Sequence, residues 1–313
     1  MERTVVIALG GNAILGPGQE GHLEEQMANI ATTVSQISDV IAEGNRVVLT
    51  HGNGPQVGAI LLQNDLALGQ VPAMPLDVCG AMSQGMLGYM IQQVLSNALE
   101  ERDIDLSVVS LVTQARVDPD DPAFDEPTKP IGRFHSEEHA QSRAAEAGEA
   151  WIEDAGRGWR KVVPSPEPEK IVEAQAIQTL LTRGAVVICM GGGGIPVIRS
   201  EGRYRGVEAV IDKDLGAERL AEDVGADVLL ILTDIENVML NYGTPEEEAL
   251  TDVTLQEAER YLKECQFASG SMAPKVEACL RFVRWGGDAI VTSLDRALDA
   301  LRGEAGTRFS ARS

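Results

Sequence analysis

The chain has 313 residues, enough for one large domain or two small ones around a substantial core. It is 44% hydrophobic and 24% charged, with a formal net charge of -22. Such a surface repels nucleic acid, and no apolar run approaches membrane-spanning length, so neither nucleic acid nor membrane is an expected partner. The apolar run behind Met1 is too short for a signal peptide. Cys79, Cys189, Cys265 and Cys279 show no CxxC pairing and no histidine cluster. The expectation is a cytoplasmic protein with buried thiols and no structural metal.

In chain order, 4–9 (TVVIAL) is a continuous apolar, β-branched run. Residues 24–43 follow, with Met27, Ile30, Val34, Ile37 and Ile41 stepping by three and four, which predicts a helix with one apolar face. Gly44 suits its C-terminal cap. A second strand is predicted over 46–50 (RVVLT), and a helix with a broad apolar face over 83–102. That breadth fits a buried core helix or a helix that also supports a subunit contact. Strands are predicted over 106–113, 185–190, 227–232 and 289–292. Continuous apolarity fits a parallel sheet buried on both faces. Alternating strand and helix predicts an α/β fold, a three-layer αβα sandwich with an open, mostly parallel sheet. Residues 116–168 break the rhythm with seven prolines and with Trp151 and Trp159. A plain loop of that length is unusual. The segment is expected to be an inserted, protruding subdomain or lid within a single domain spanning 1–313, with one helix near 136–150.

Ligands of open α/β sheets gather at the carboxyl ends of strands. Here three predicted strands run into Gly10-Gly11-Asn12, His51-Gly52-Asn53-Gly54 and Gly191-Gly192-Gly193-Gly194. Glycines let backbone N–H groups approach an anion, and helix N-termini behind them add favourable partial charge. Three such loops at one edge predict an oxyanion cradle. No P-loop or protein-kinase motif is present, and GGNAIL is not a dinucleotide fingerprint. The only lysines are Lys129, Lys161, Lys170, Lys213, Lys263 and Lys275. Lys213 stands between Asp212 and Asp214 after a β-prone run, Lys275 opens an amphipathic helix, and Lys129 lies in the inserted segment. Lys161, Lys170 and Lys263 are expected on the surface. Glycine cradles plus lysines held by carboxylates meet the needs of phosphoryl transfer, which are alignment and positive charge.

Several longer motifs resemble the amino acid kinase superfamily and, within it, the carbamate kinases. They are VEAVIDKD, ILTDIENVMLNYGTPEE, GSMAPK, MPLDVCGAMSQG, PTKPIG, GRGWRKVVPSPEP and GGGGIPV, and the resemblance extends over essentially the whole chain. The resemblance implies an open sheet of about eight strands, a homodimer, and the reaction ATP + carbamate ⇌ ADP + carbamoyl phosphate with Mg²⁺. It implies that Lys213 acts on the transferring phosphoryl group, that Asp214 orders the lysines, and that Lys275 binds phosphate. It implies that Lys129 is delivered by the protruding subdomain. Gly10, Gly11 and Asn12 match a phosphate and substrate loop, and Gly52 and Asn53 match the loop that holds carbamate. Asp212, Thr233, Asp234, Tyr242 and Met272, with Lys275, fall in the nucleotide-binding segments. Where relatives commonly show Pro-Phe-Tyr after PTKPIG, this chain has Arg133-Phe134-His135. A kinase for another small carboxylate, or a silent nucleotide-binding regulator, stands as the alternative.

Overall fold

The structure is a computed structural model describing residues 2–153, 158–267 and 272–311. Gly156, Arg157, Gly270 and Ser271, which belong to two of the quoted motifs, lie outside the described residues, as does the side chain of Arg133. Eight strands form the central sheet: β1 (Thr4–Leu9), β2 (Arg46–His51), β3 (Val108–Ser110), β4 (Val186–Ile188), β5 (Val228–Thr233), β6 (Asp252–Thr254), β7 (Asp288–Ser293) and β8 (Thr307–Ser310). Their spatial order is β6-β8-β7-β5-β1-β2-β4-β3. β8 is antiparallel to β7 and parallel to β6, so these two run against the other six, whose pairings are all parallel.

Period-two alternation explains why these runs are apolar throughout. In β1, Val6 and Ala8 enter one core cluster while Val5, Ile7 and Leu9 enter the other. The second cluster holds the apolar face of α1 (Leu23–Ala42) and the inner face of α3 (Leu76–Glu100). Each fully buried Val, Leu or Ile contributes about 1.5–3 kcal/mol relative to exposure, so both helical layers are driven by the same strands. α2 (Gly54–Ala67) instead packs Val57 and Ile60 against Ile131 and Val163. In segment 116–168, α4 (Glu137–Ala147) begins at the Ser136 cap and ends at left-handed Gly148. The layer of the first cluster is built from α5 (Ala174–Thr182), α6 (Lys213–Val224) and α8 (Met272–Trp285), with α7 (Leu255–Lys263) alongside. α9 (Ala297–Arg302) closes the α1 side.

Four features depart from the sequence reading. The predicted strand 106–113 pairs only over Val108–Ser110, because β3 is an edge strand with β4 as its sole neighbour in the sheet. The helix expected from residue 83 starts at Leu76, whose N–H donates to the Glu208 carboxylate at 2.9 Å. Gly80, Gly85 and Gly88 lower local helix propensity there, and tertiary contacts override it. At Gly88 a Cβ would fall 2.0 Å from Ser110 Oγ, so glycine is what lets α3 lie against β3. The β-prone run 207–211 forms no strand, although the Val207 and Val210 N–H groups donate to the Pro196 and Pro164 carbonyls, and it carries the chain into α6. Cys265 is exposed rather than buried, since it sits at φ 52° in the turn that ends α7.

Segment 116–168 contains a three-stranded antiparallel sheet in the order Lys129–His135, Trp159–Val163, Ala150–Glu153, with α4 against it. Beside the central sheet lies a second, four-stranded one that the sequence patterns did not reveal. Its order is Arg203–Gly206, Ile195–Ser200, Gln114–Val117, Pro168–Ile171. No helix among the described residues is long and apolar enough to cross a membrane.

Candidate active site

The carboxyl ends of β1, β2 and β4 and the start of α6 surround a cavity of about 350 Å³. Its walls carry Gly11, Gly52, Asn53 and Gly192 together with Lys129, Asp212, Lys213, Asp214 and Lys275. The loops interlock because glycine lets them. A Cβ on Gly52 would sit 3.3 Å from Gly11 N and 3.5 Å from Lys213 Cδ. Gly193, at φ +89°, lies so close to Ile211 that a Cβ would fall 2.5 Å from its carbonyl oxygen.

Asp212 caps α6 by accepting the Asp214 N–H at 2.9 Å, and this fixes the first turn that carries Lys213 and Asp214. Asp214 is 3% exposed and holds two ammonium groups with one carboxylate. Its Oδ1 lies 2.5 Å from Lys213 Nζ, and its Oδ2 lies 3.2 Å from Lys275 Nζ. Lys275 comes from the first turn of α8 and is 3% exposed as well. Burial lowers the Lys275 pKa, Lys213 adds to that, and the Asp214 charge opposes it. Lys129 arrives from the other side, on the strand Lys129–His135, with its Nζ 2.6 Å from Asp212 Oδ2. Burial pushes the Asp212 carboxyl upward, but Lys129, the Asp214 N–H and Lys213 outweigh it and hold its pKa below the usual value. Three lysines against two aspartates leave this cavity with an excess positive charge in a protein that is otherwise strongly acidic.

The remaining expected residues divide. The Gly10 N–H is occupied by the Leu232 carbonyl at 3.0 Å, so Gly10 joins β1 to β5 rather than lining the cavity. Asn12, Thr233 and Asp234 lie together on a neighbouring cavity of about 390 Å³ against α1. There Asp234 accepts from Thr233 Oγ1 at 3.0 Å and from Asn12 Nδ2 at 3.5 Å. Tyr242 is 65% exposed, and Met272 is half-buried where α8 begins. His51 is buried, with Nδ1 2.9 Å from the Gly52 carbonyl. Burial depresses its pKa and the carbonyl opposes this, so the ring packs as a neutral group. Lys170 and Lys263 are exposed as expected, whereas Lys161 is half-buried and pairs with Glu149 at 3.1 Å within the three-stranded sheet. In the divergent Arg133-Phe134-His135 stretch, the His135 ring stacks on His139 and meets the edge of Trp151.

Two residues that sequence reasoning passed over hold the glycine loops from α3. Gln84 donates to the carbonyls of Gly191 at 3.0 Å and Thr113 at 3.1 Å, and accepts the Thr113 N–H at 2.8 Å. Ser83 accepts from Asn53 Nδ2 at 2.8 Å. Both lie in the quoted motif MPLDVCGAMSQG, as two polar residues on a face that is otherwise apolar, but the motif assigned them no role.

This arrangement can bind an anion between glycine-rich turns and present it to lysines of fixed position, as transfer of a phosphoryl group requires. The pattern of the amino acid kinase family matches residues 3–293. The chain is 55% identical to a carbamate kinase of Thermococcus kodakarensis over 312 residues, covering 98% of each chain. It is 53% identical to one of Pyrococcus furiosus over 313 residues, covering 98% of this chain and 99% of the other. The structure is similar to that of a carbamate kinase from Giardia lamblia bound to AMP-PNP, with a TM-score of 0.93, 49% identity, and 99% and 98% of the two chains covered. The chain belongs to the amino acid kinase family, in its carbamate kinase branch.

Proposed function

We propose that the cavity carries out reversible phosphoryl transfer between ATP and carbamate, giving ADP and carbamoyl phosphate. The observation that carries this reading is the Asp214 clamp, one buried carboxylate fixing two lysines at the mouth of a glycine-lined cavity. Carbamate is already an anion, so its attacking oxygen needs no general base. That oxygen forms the new bond to the γ-phosphorus as the bond to the ADP oxygen breaks. Lys213 and Lys275 neutralise charge on the transferring phosphoryl group, and Asp214 keeps them in position. Gly11 and Gly52 offer close backbone approach, while Asn53 holds carbamate. Lys129 completes the charge from the opposite wall. Asp212 links it to α6, so its role lies in positioning a lysine as well as in the nucleotide end of the site. Thr233, Asp234, Tyr242 and Met272 serve the nucleotide outside the lysine cavity.

Mg²⁺ enters with the nucleotide. Among the described residues no group of three or more His, Cys, Asp or Glu side chains forms a metal cage. The cavity carboxylates are already engaged by lysines. This donor set suits an ion that keeps its waters and is held chiefly by phosphates. Residues 116–168 act as the lid that brings Lys129 to the site. A homodimer forms through the outer face of α3, where Val78, Met82, Met86 and Tyr89 make an exposed stripe at helical spacing. The four free cysteines fit a reducing cytoplasm.

The test is ATP formation from ADP, Mg²⁺ and carbamoyl phosphate by the purified protein beside Lys213→Ala. Formation by the wild type alone supports the reading. No formation by a folded, ADP-binding wild type would favour another acyl phosphate or a silent regulator.

A further inference from the structure

We propose that Ser83 sets substrate specificity by fixing which end of the Asn53 amide faces the cavity, so that its carbonyl oxygen receives the amino group of carbamate. The inference rests on the carbamate kinase reading above and adds to it a residue that selects the substrate.

Ser83 is fully buried on α3, and its Oγ lies 2.7 Å from the carbonyl of Gly80. A carbonyl only accepts, so in this contact the Ser83 hydroxyl is the donor to Gly80. The lone pairs left on Oγ call for a donor. Asn53 Nδ2 supplies it at 2.8 Å. Turning the amide over would set Oδ1 against Oγ, and the hydroxyl could meet it only by giving up its bond to Gly80. The hydrogen-bond network therefore fixes the amide, and Oδ1 is the end left over. It accepts no hydrogen bond from another side chain or backbone group among the described residues, although Asn53 lines the cavity. Gly192, at φ +67°, leaves room for this arrangement, since a Cβ there would fall 2.4 Å from Oδ1.

An unclaimed carbonyl oxygen beside the lysines is a receptor for a donor. Carbamate carries two chemically different ends, a carboxylate that takes the phosphoryl group and an N–H₂ that donates. Acetate has the same carboxylate but a methyl group that donates nothing. A site built to hydrogen-bond one substrate group strongly rejects the analogue lacking it. Bicarbonate, whose hydroxyl also donates, is not separated by this contact. Ser83 touches no substrate in this scheme and acts as a positioning residue through Asn53.

The experiment compares kcat/KM for ATP formation from ADP with carbamoyl phosphate and with acetyl phosphate. It uses the wild type, Ser83→Ala and Ser83→Thr, each checked by thermal melting. The wild type is expected to favour carbamoyl phosphate by at least about 100-fold, and Ser83→Ala to lose at least about 10-fold of that ratio. The loss should fall on KM for carbamoyl phosphate and leave KM for ADP unchanged. Ser83→Thr keeps the acceptor and should keep the ratio. Equal losses on both acyl phosphates, or a Ser83→Ala ratio within about twofold of the wild type, overturn the proposal. So does a folded Ser83→Thr that loses the ratio as Ser83→Ala does. Should Ser83→Ala fail to fold, the wild-type ratio decides, because equal use of both acyl phosphates overturns the proposal without any variant. A wild type that turns over acetyl phosphate alone defeats the carbamate reading itself, a separate and recognisable failure.

Discussion

Asp214 and Asp212 stand two residues apart and each holds a lysine, yet they belong to different kinds of structure. Asp214 binds Lys213 and Lys275 at the sheet edge, where the Asp214 and Lys275 side chains are each 4% exposed. Asp212 binds Lys129, which reaches across from the three-stranded sheet with its side chain 39% exposed. The first is a buried charge cluster, costly to assemble and rigid once assembled. The second is a half-solvated bridge between two parts of the molecule, worth little to stability and free to break. The clamp suits preorganisation, and the bridge suits motion.

The sharpest way to break this comparison is to neutralise each carboxylate. Asp214→Asn leaves Lys275 buried without its counter-charge and is expected to cost about 3–5 kcal/mol of folding stability. Asp212→Asn should cost about 1 kcal/mol or less for the lost bridge, apart from its helix cap, which asparagine also serves. Urea denaturation of both variants checks this, and similar midpoints would dissolve the distinction. Next is Lys213→Ala, expected to reduce kcat by about 100- to 1,000-fold while the melting temperature barely moves. A variant with near-normal kcat would remove Lys213 from the chemistry. Lys129→Ala should be milder, about 10- to 100-fold in kcat/KM, because a bridging lysine must first be delivered. A deficit as large as that of Lys213→Ala would place both lysines in one preorganised set.

The two regions also separate by pH. Burial lowers the Lys275 pKa, so the native protein loses that proton below the ordinary lysine value of about 10.4. The alkaline limb of kcat/KM should therefore begin below that value. Folding linkage has its own sign here. Within that window the unfolded chain binds more protons, so stability from this group rises with pH even as activity falls. Asp212 behaves in the opposite direction. Its lowered pKa gives stability that is present above the usual carboxylate value of about 3.9 and is lost as pH falls through the lowered pKa. The smallest effect on turnover is expected on the outer face of α3. If the proposed dimer forms there, Met82→Glu should shift it to monomer by light scattering while kcat stays within about twofold. Loss of activity with the dimer would tie that face to the site through Ser83 and Gln84.

The glycine turns and the Asp-Lys-Asp triplet were legible because each is a local pattern with a local cause. Glycine marks backbone that must pass closely, and a lysine between two aspartates marks a cation that carboxylates can hold. Asn12, Thr233 and Asp234 were harder to place. They share the strand-end edge with the lysines but face another cavity, and strand ends alone do not tell which side of a loop a residue takes. Ser83 stood inside a quoted motif, but its role was invisible because it depends on Gly80 and Asn53 together, residues three and thirty positions away.

What the sequence by itself determined is the layered sheet, since continuous apolar strands must bury both faces, together with the positions where glycine and lysine had to be accounted for. The tertiary structure alone decided which lysines share a carboxylate, which glycines line a cavity, and which end of an amide is left unclaimed. Those are matters of distance between segments brought together by packing, and only the folded chain sets them.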